Sequence, residues 1–545
     1  MKALKGFVIA MKEIVLRADE QNIAKATEFV AENMRKHHIN EHLIFEYQLL
    51  TEEILIKLLE VASIRAEFEV KLSYSRGHCT LNINCDGSPV KLFTHDSLGS
   101  VILDEYSDRI SQRYNKNSNR IKISTDVSSG TMLKRSLLAV IVAIIAGYLV
   151  QTYVPQGNID FIESQVVYPL IYVFILLVDT FAYPLAFISI VSYIMNFIMR
   201  IDGDREISIM AVKVTVTSIV GLIVGYFVGR ATYYLPMAGQ FADFKMNVGQ
   251  NYIGATLAEI IANAVPANIV DPFVGSNPLP VLILALIFGT AVSTYFGQGG
   301  DFMRQIVHGT TGLMGTIINI IYSFMPTMVF LATFHSIISF GFRIIFFYMG
   351  ALFMFVLALL IMVCIQTLNL VVNGVNPIKF FKEYKPVIWN NFVIASALDA
   401  LPFNRRNLCR RLKEPASLVR EKLELGASID MDGNCVVLSM GIIMMIFACN
   451  MEMGYAEVVG LLVVILLLSF GAPNRPGTFL ISMLLLMNFV GISVEACSVI
   501  IIFELFTSKL VGFVNVFGNI TSIVADSQRY ERRQKKLHAR EKQDE

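Results

Sequence analysis

Charge is scarce in this 545-residue chain: 16% of its residues are Asp, Glu, Lys or Arg, and the formal net charge is +1. A chain without excess positive charge offers nucleic acid no footing, so none is expected as a partner. The seven cysteines are scattered, mostly in or beside apolar segments, and Cys79 and Cys85 lack a second ligand pair. That pattern reads as neither a zinc site nor a disulfide framework. No glycine-Lys-Ser/Thr loop of the phosphate-cradling kind occurs, which argues against a pump driven by ATP through such a loop. Residues 1–20 carry charges throughout and hold no long apolar core. No cleaved signal peptide is therefore expected, and the N-terminus is expected in the cytoplasm.

What is abundant is apolar. Hydrophobic residues make up 54% of the chain, and the mean hydropathy of +0.58 lies well above that of soluble domains. The few charges crowd into the first 130 residues, some loops and the tail. That asymmetry divides the chain into a soluble domain at 1–130, a membrane domain at 131–528 and a basic tail at 529–545. The tail carries Arg532, Arg533, Lys535 and Lys536.

The first 130 residues read as a small α/β domain. Asn22–Lys36 and Glu41–Ala62 have helical spacing, with Leu43, Tyr47, Leu50, Ile54 and Leu58 along one face. Phe68–Tyr74, Thr80–Cys85 and Ile121–Ser124 alternate as strands do. Helix, strand, strand and then Asp86-Gly87 resembles the histidine-kinase-like ATPase fold of anti-sigma factors. The resemblance calls for a magnesium-holding Asn where Lys57 or Leu58 stands, and for later glycines that are missing after Asp86-Gly87-Ser88-Pro89. A degenerate, non-hydrolysing module, regulatory or structural, is what remains, beside the reading of an unrelated α/β cap.

Beyond the polar linker Thr125–Thr131, spanning runs are expected at Ser136–Tyr153, Val166–Met199, Met210–Tyr234, Val281–Phe296, Gly309–Phe334 and Ile344–Val372. Pro184 is expected to divide the second of these, which also holds Asp179, and Pro326 to bend the fifth. Pro236–Pro280 is mixed, and Asn376–Pro386 reads as a charged connection. The loop with Arg405, Arg406, Arg410, Arg411, Lys413, Arg420 and Lys422 belongs in the cytoplasm by its positive charge.

Three interruptions then stand out. Ala395–Pro402 breaks a moderately apolar segment, and Gly471–Thr478 separates the short apolar runs Val458–Phe470 and Phe479–Val490. Between them, Gly426–Asn434 places Asp430 and Asp432 among glycines, directly before the apolar run Val436–Cys449. A polar, glycine-bearing break at membrane depth is costly unless it lines a cavity or holds an ion. Two half-depth hairpins facing a broken helix are the expected shape of a carrier site. Opposite the break, Glu504, Ser508, Gly512, Asn515 and Asn519 recur at spacings of four, four, three and four. They form one polar stripe on an otherwise apolar helix. Carboxylate oxygens of Asp430 and Asp432 suit a hard cation such as sodium, and either could instead carry a proton.

Gly426-Ala427-Ser428-Ile429-Asp430-Met431-Asp432-Gly433-Asn434 and Val514-Asn515-Val516-Phe517-Gly518-Asn519, with hairpin tips at Ala400-Leu401-Pro402 and Gly471-Ala472-Pro473, resemble the dicarboxylate/amino acid:cation symporter family, also called the glutamate transporter family. The resemblance covers roughly residues 131–528. It implies a multi-pass plasma-membrane protein with eight spanning helices, two re-entrant hairpins and both termini cytoplasmic. It also implies a homotrimer that imports a small organic anion, dicarboxylate or amino acid, by an elevator motion coupled to sodium or protons, with no other cofactor and no enzyme chemistry. On that pattern Asp430, Asp432, Asn515 and Asn519 hold the cation. Ser396, Asp399, Arg475, Ser508, Val511, Gly512 and Asn515 line the substrate. Ser508 and Asn519 match dicarboxylate carriers rather than amino-acid carriers. Val511 stands where the family's carboxylate-gripping arginine is expected, which leaves Arg475 to compensate. The alternative is a transporter-derived receptor whose N-terminal module reports occupancy.

Overall fold

Strand-like alternation near the N-terminus has its counterpart in a five-stranded antiparallel sheet. In this computed structural model the strands are β1 (Ala10–Arg17), β2 (Glu67–Ser75), β3 (His78–Asp86), β4 (Ile110–Asn115) and β5 (Ser118–Asp126), in the order β1-β2-β3-β5-β4. The structure describes residues 10–544 other than 37–38, 40, 64, 76–77, 91, 93–109, 116, 127–128, 202–204, 235–256, 276, 395–399, 472–476 and 494–495. Register aligns apolar residues in rows: Leu72 opposite Leu81 opposite Ile123, and Val70 opposite Ile83 opposite Ile121. The intervening rows are polar, with Lys71, Asn82 and Lys122 side by side. A period of two thus gives the sheet one apolar face.

That face is covered by α1 (Glu20–Lys36) and α2 (Glu41–Val61), whose Val30, Met34, Tyr47, Ile54 and Leu58 join the strand residues in one core. The Tyr47 hydroxyl also donates to the Cys79 carbonyl at 3.0 Å, tying α2 to β3. Leu58 lies in the core and Lys57 is buried beside it. Sequence reading missed β1 and β4, the two edge strands. Val15 of β1 is 50% exposed, and β4 reads Ile-Ser-Gln-Arg-Tyr-Asn with only Ile110 buried. Edge strands need little apolar alternation, so their pattern is faint.

The chain divides into units Met1–Arg135 and Ser136–Glu545. α3 (Ser129–Tyr153) starts before the division and runs on into the second unit, which is built from helices and continues with α4 (Gln156–Ile162). A π-helical turn at Glu163–Val167 leads into α5 (Tyr168–Ile201), followed by α6 (Arg205–Ala231), α7 (Leu257–Ala262) and α8 (Asp271–Val274). Next come α9 (Pro278–Thr294), α10 (Gln298–Tyr322), α11 (Met325–Phe340), α12 (Ile344–Val372), α13 (Pro377–Ile394) and α14 (Leu401–Arg411). The last are α15 (Ala416–Ile429), α16 (Asp432–Ala448), α17 (Tyr455–Gly471), α18 (Thr478–Val490) and α19 (Cys497–Asp544).

Among the described residues, six helices are long and apolar enough to cross a membrane. A seventh is added if α10 and α11, bent by 50°, form one span. Outward-facing Ile141, Val212, Phe227 and Phe353 are all more than half exposed, an apolar surface that suits lipid rather than water. α9, α17 and α18 are apolar but shorter.

Three expectations need correction or refinement. Pro184 does not divide its segment, because α5 runs continuously through it. One lost hydrogen bond is tolerated in a long apolar helix whose neighbours hold it in place. The bend near Pro326 falls at Ser323-Phe324, with Pro326 in the first turn of α11. Of the expected connection Asn376–Pro386, all but Asn376 is helical, within α13. The Asn376 side chain accepts from the Ile378 amide at 2.9 Å and Pro377 follows it, a start signal that the charges obscured.

Cys79 and Cys85 lie on the buried face of the sheet, and burial pushes both thiols up to about 11. Thiolate is the reactive form, so both should resist iodoacetamide at neutral pH until the protein is denatured. Peptide mapping of the labelled sites checks this; rapid labelling of either under native conditions would contradict the buried sheet face.

Candidate functional site

A two-residue interruption separates α15 from α16. Asp430 (φ −78°, ψ 86°) and Met431 (φ −113°, ψ 30°) leave the helical conformation, and Asp432 resumes it. Such a break strands amide and carbonyl groups that must find partners where water is absent. Asn515 of α19 supplies one: its Oδ1 accepts from the Gly433 N–H at 2.7 Å, capping α16 from another helix. Its Nδ2 faces the Met431 sulfur at 3.6 Å.

Both carboxylates are buried, Asp430 at 2% and Asp432 at 1% exposure. Asp432 Oδ1 accepts from the Ser218 hydroxyl of α6 at 3.0 Å, and Oδ2 from the Gln366 amide of α12 at 3.0 Å. Neither donor is charged. Asn519 donates to the Leu423 carbonyl at 3.2 Å, while its Oδ1 has no protein partner. Asp430, Asp432, Asn515 and Asn519 are therefore gathered around one break by α15, α16 and α19.

Missing side chains make this approach possible. A Cβ on Gly426 would lie 2.0 Å from Asn519 Oδ1, and one on Gly433 would lie 2.9 Å from Asn515 Oδ1 and 3.0 Å from the Val511 carbonyl. On α6, Gly221, Gly225 and Gly229 form a stripe against α16. Their Cβ positions would lie 3.0 Å from the Asp432 carbonyl, 2.3 Å from the Val436 carbonyl and 2.9 Å from Ile443 Cβ. Small residues at four-residue spacing let helix backbones touch. The Ser439 hydroxyl bonds across the seam to the Leu222 carbonyl at 2.9 Å, and the seam carries Ser218 to Asp432.

Further along α19, Glu504 is wholly buried. Its two oxygens accept from the Gly477 and Leu480 amides at 2.8 and 2.9 Å. A carboxylate there meets unpaired N–H groups at the start of α18 and complements the helix dipole. Ser508 is half-buried beside the Tyr322 hydroxyl, and Val511 and Gly512 are buried on the same helix. Ser396, Asp399 and Arg475 lie outside the described residues.

A model of the sodium:dicarboxylate symporter family matches residues 132–527. The chain belongs to the sodium:dicarboxylate symporter family. It is a multi-pass membrane transporter rather than an enzyme, and the first 131 residues lie outside the match. Similar proteins include a C4-dicarboxylate transport protein of Polynucleobacter asymbioticus, 28% identical over 52% of this chain and 64% of the relative. Another, of Deinococcus radiodurans, is 26% identical over 72% of this chain and 89% of the relative. A proton/sodium-glutamate symport protein of Bacillus caldotenax is 24% identical over 58% of this chain and 76% of the relative.

Within this family member, sequence reading overlooked Ser218, Gln366 and the α6 glycines. The four-residue glycine spacing was a usable signal; Ser218 lies beside Thr215 and Thr217, and Gln366 beside Thr367 and Asn369, and nothing in those runs singles out the residue that meets Asp432. The glycine seam makes a prediction. Gly225→Val should force α6 from α16 and cost about 1–3 kcal/mol through overpacking. Gly309→Val should leave the apparent Tm of the purified protein nearly unchanged, since nothing lies within 4 Å of its Cβ position. Equal melting of the two variants would contradict the close seam.

Proposed function

We propose that the chain is a cation-coupled secondary symporter that imports a small organic anion, a dicarboxylate or an amino acid, with sodium or protons as the driving ion. The observation that carries this reading is the buried pair Asp430 and Asp432 at a helix break, where the donors to Asp432, Ser218 and Gln366, are both neutral. Burying carboxylates is costly without a compensating charge, and a site that leaves this charge to a mobile cation couples its occupancy to that ion. Oxygen donors suit sodium, and a proton can serve the same role. The relatives named for dicarboxylate and glutamate transport support the substrate class.

The rest of the architecture follows that reading. α13 with α14, and α17 with α18, act as two re-entrant hairpins among eight spans. They move with the last two helices as an elevator, in a homotrimer of the plasma membrane with both termini cytoplasmic. Asp430, Asp432, Asn515 and Asn519 form the cation site. Ser396, Asp399, Ser508, Val511, Gly512 and Asn515 line the substrate, with Arg475 taking the place of the arginine that Val511 lacks. A second reading, a transporter-derived receptor, is favoured by the separate sheet unit at Met1–Arg135, a degenerate, non-hydrolysing module on this view. A receptor would bind ligand without accumulating it.

Proteoliposomes separate these readings. Uptake of a dicarboxylate or amino acid under an inward sodium or proton gradient is expected, and Asp432→Asn should lower it by about tenfold or more. Undiminished, still gradient-driven uptake by the variant would place coupling elsewhere. A charge-assisted contact from Arg475 is worth roughly 1.5–3 kcal/mol, about ten- to a hundredfold in affinity. Arg475→Ala should weaken a dianion by that factor and spare a neutral analogue. Equal loss for both would reduce Arg475 to a conformational role.

A further inference from the structure

α13 and α14 run antiparallel at a register that their contacts define. The Arg411 guanidinium of α14 lies 5.3 Å from the ring centre of Tyr384 of α13. About one turn further along, Val387 and Leu408 are wholly buried in the same apolar core as Tyr384. Three residues forward on α13 thus match three residues back on α14. One more turn brings Asn391 and Asn404 to a common level, three residues before the end of α13 and three after the start of α14. Each stands seven residues from the Tyr384–Arg411 contact. Seven residues make nearly two full turns, so both asparagines return to the facing sides of their helices. Phe392, beside Asn391, meets the Phe513 ring of α19 at 5.4 Å. The end of α13 therefore lies against α19 next to Gly512 of its polar stripe.

Both asparagines are buried, at 1% and 2% exposure, on stripes otherwise apolar. Nδ2 and Oδ1 of Asn391 and Oδ1 of Asn404 are buried without a hydrogen-bond partner. Unmet buried amides cost free energy, and such exceptions call for a reason. Leucines of similar size would avoid that cost. The unmet set is one NH2 donor and two carbonyl acceptors, all uncharged. A carboxylate only accepts, and leaves both oxygens unmet. An ammonium only donates, and leaves the Asn391 NH2 unmet. A hydroxyl has one proton and serves one oxygen. A primary carboxamide has two N–H groups and one C=O. One N–H and the C=O complement Asn391 in a two-bond ring, and the second N–H serves Asn404 Oδ1. Interchanging O and N of Asn391 leaves this match unchanged.

We propose that Asn391 and Asn404 form a binding site for the primary carboxamide of the transported substrate. The proposal rests on the reading of α13 and α14 as a hairpin that lines the substrate. It narrows the substrate class to a small carboxylate or amino acid that carries an amide at its far end.

The test uses the purified full-length protein and two isosteric pairs of probes, glutamine against glutamate and succinamate against succinate. Each is titrated with and without sodium at fixed pH while the thermal midpoint is read. The amide of at least one pair should bind about tenfold more tightly than its acid. Asn391→Leu should weaken that amide about tenfold and leave the acid within about twofold. Asn404→Leu should act in the same direction by a smaller factor. Because each variant removes an unmet amide, its ligand-free midpoint should be at or above that of the wild type. Lower ligand-free midpoints in both variants, with amide and acid bound equally, would make the asparagines seats for ordered water only and overturn the proposal. An acid bound as tightly as its amide in both pairs, or an amide preference unchanged in both variants, would overturn the site and leave the substrate reading intact. Silence toward all four probes in either sodium condition would remove the substrate reading and the proposal with it.

Discussion

Two carboxylates with a single residue between them, buried at the point where a helix is interrupted, are the constraint on which the rest of the membrane unit depends. An ionised group in apolar surroundings needs compensation. The protein provides it here through Ser218 and Gln366 rather than through a lysine or arginine. A fixed cation would satisfy Asp432 permanently. Neutral donors hold its geometry without supplying a balancing charge. Contrast the fully buried pair of Lys422 and Glu414, 3.1 Å apart, where both charges belong to the chain and the contact is structural.

Close approach is the second theme, and glycine is its means. The α6 stripe lets α16 lie against it, and Gly426, Gly433 and Gly518 clear room for the side chains of Asn519, Asn515 and Gln366. Each removes a Cβ where a polar atom of another helix must stand. The break itself is stabilised the same way, because Asn515 reaches the Gly433 amide only across a bare Cα. Polar groups that would be stranded in lipid therefore meet one another inside the helix bundle.

How much of this was legible beforehand follows from periodicity. The stripe on α19 could be read because five polar residues at helical spacing in an apolar run must share one face, and lipid would not tolerate that face. The interruption at Asp430 could be read because charge and glycine are rare at membrane depth. Ser218 and Gln366 could not, since short polar groups such as Thr215-Val216-Thr217-Ser218 and Gln366-Thr367 do not show which member is used, and the partner lies far away in sequence. A similar limit applies to β1 and β4, where an edge strand has only half a reason to alternate. The start of α13 shows the converse, a clear Asn376-Pro377 cap hidden by the charges that follow it. The family match covers residues 132–527 and leaves the sheet outside it, so the role of the sheet domain rests on its residues alone.

Because α19 is one uninterrupted helix, its contacts share a single phase. Glu504 meets the start of α18, Asn515 the start of α16 and Asn519 the middle of α15. These points span about 22 Å of helix at 1.5 Å per residue, and each residue turns the axis by about 100°. Adding or removing one residue between Glu504 and Asn519 would rotate one set of contacts away while the other stayed in place. Substitution can be absorbed along this helix, but a change of length cannot. Descent with altered spacing should therefore be tolerated in the loops that join the helices and be rare within this segment.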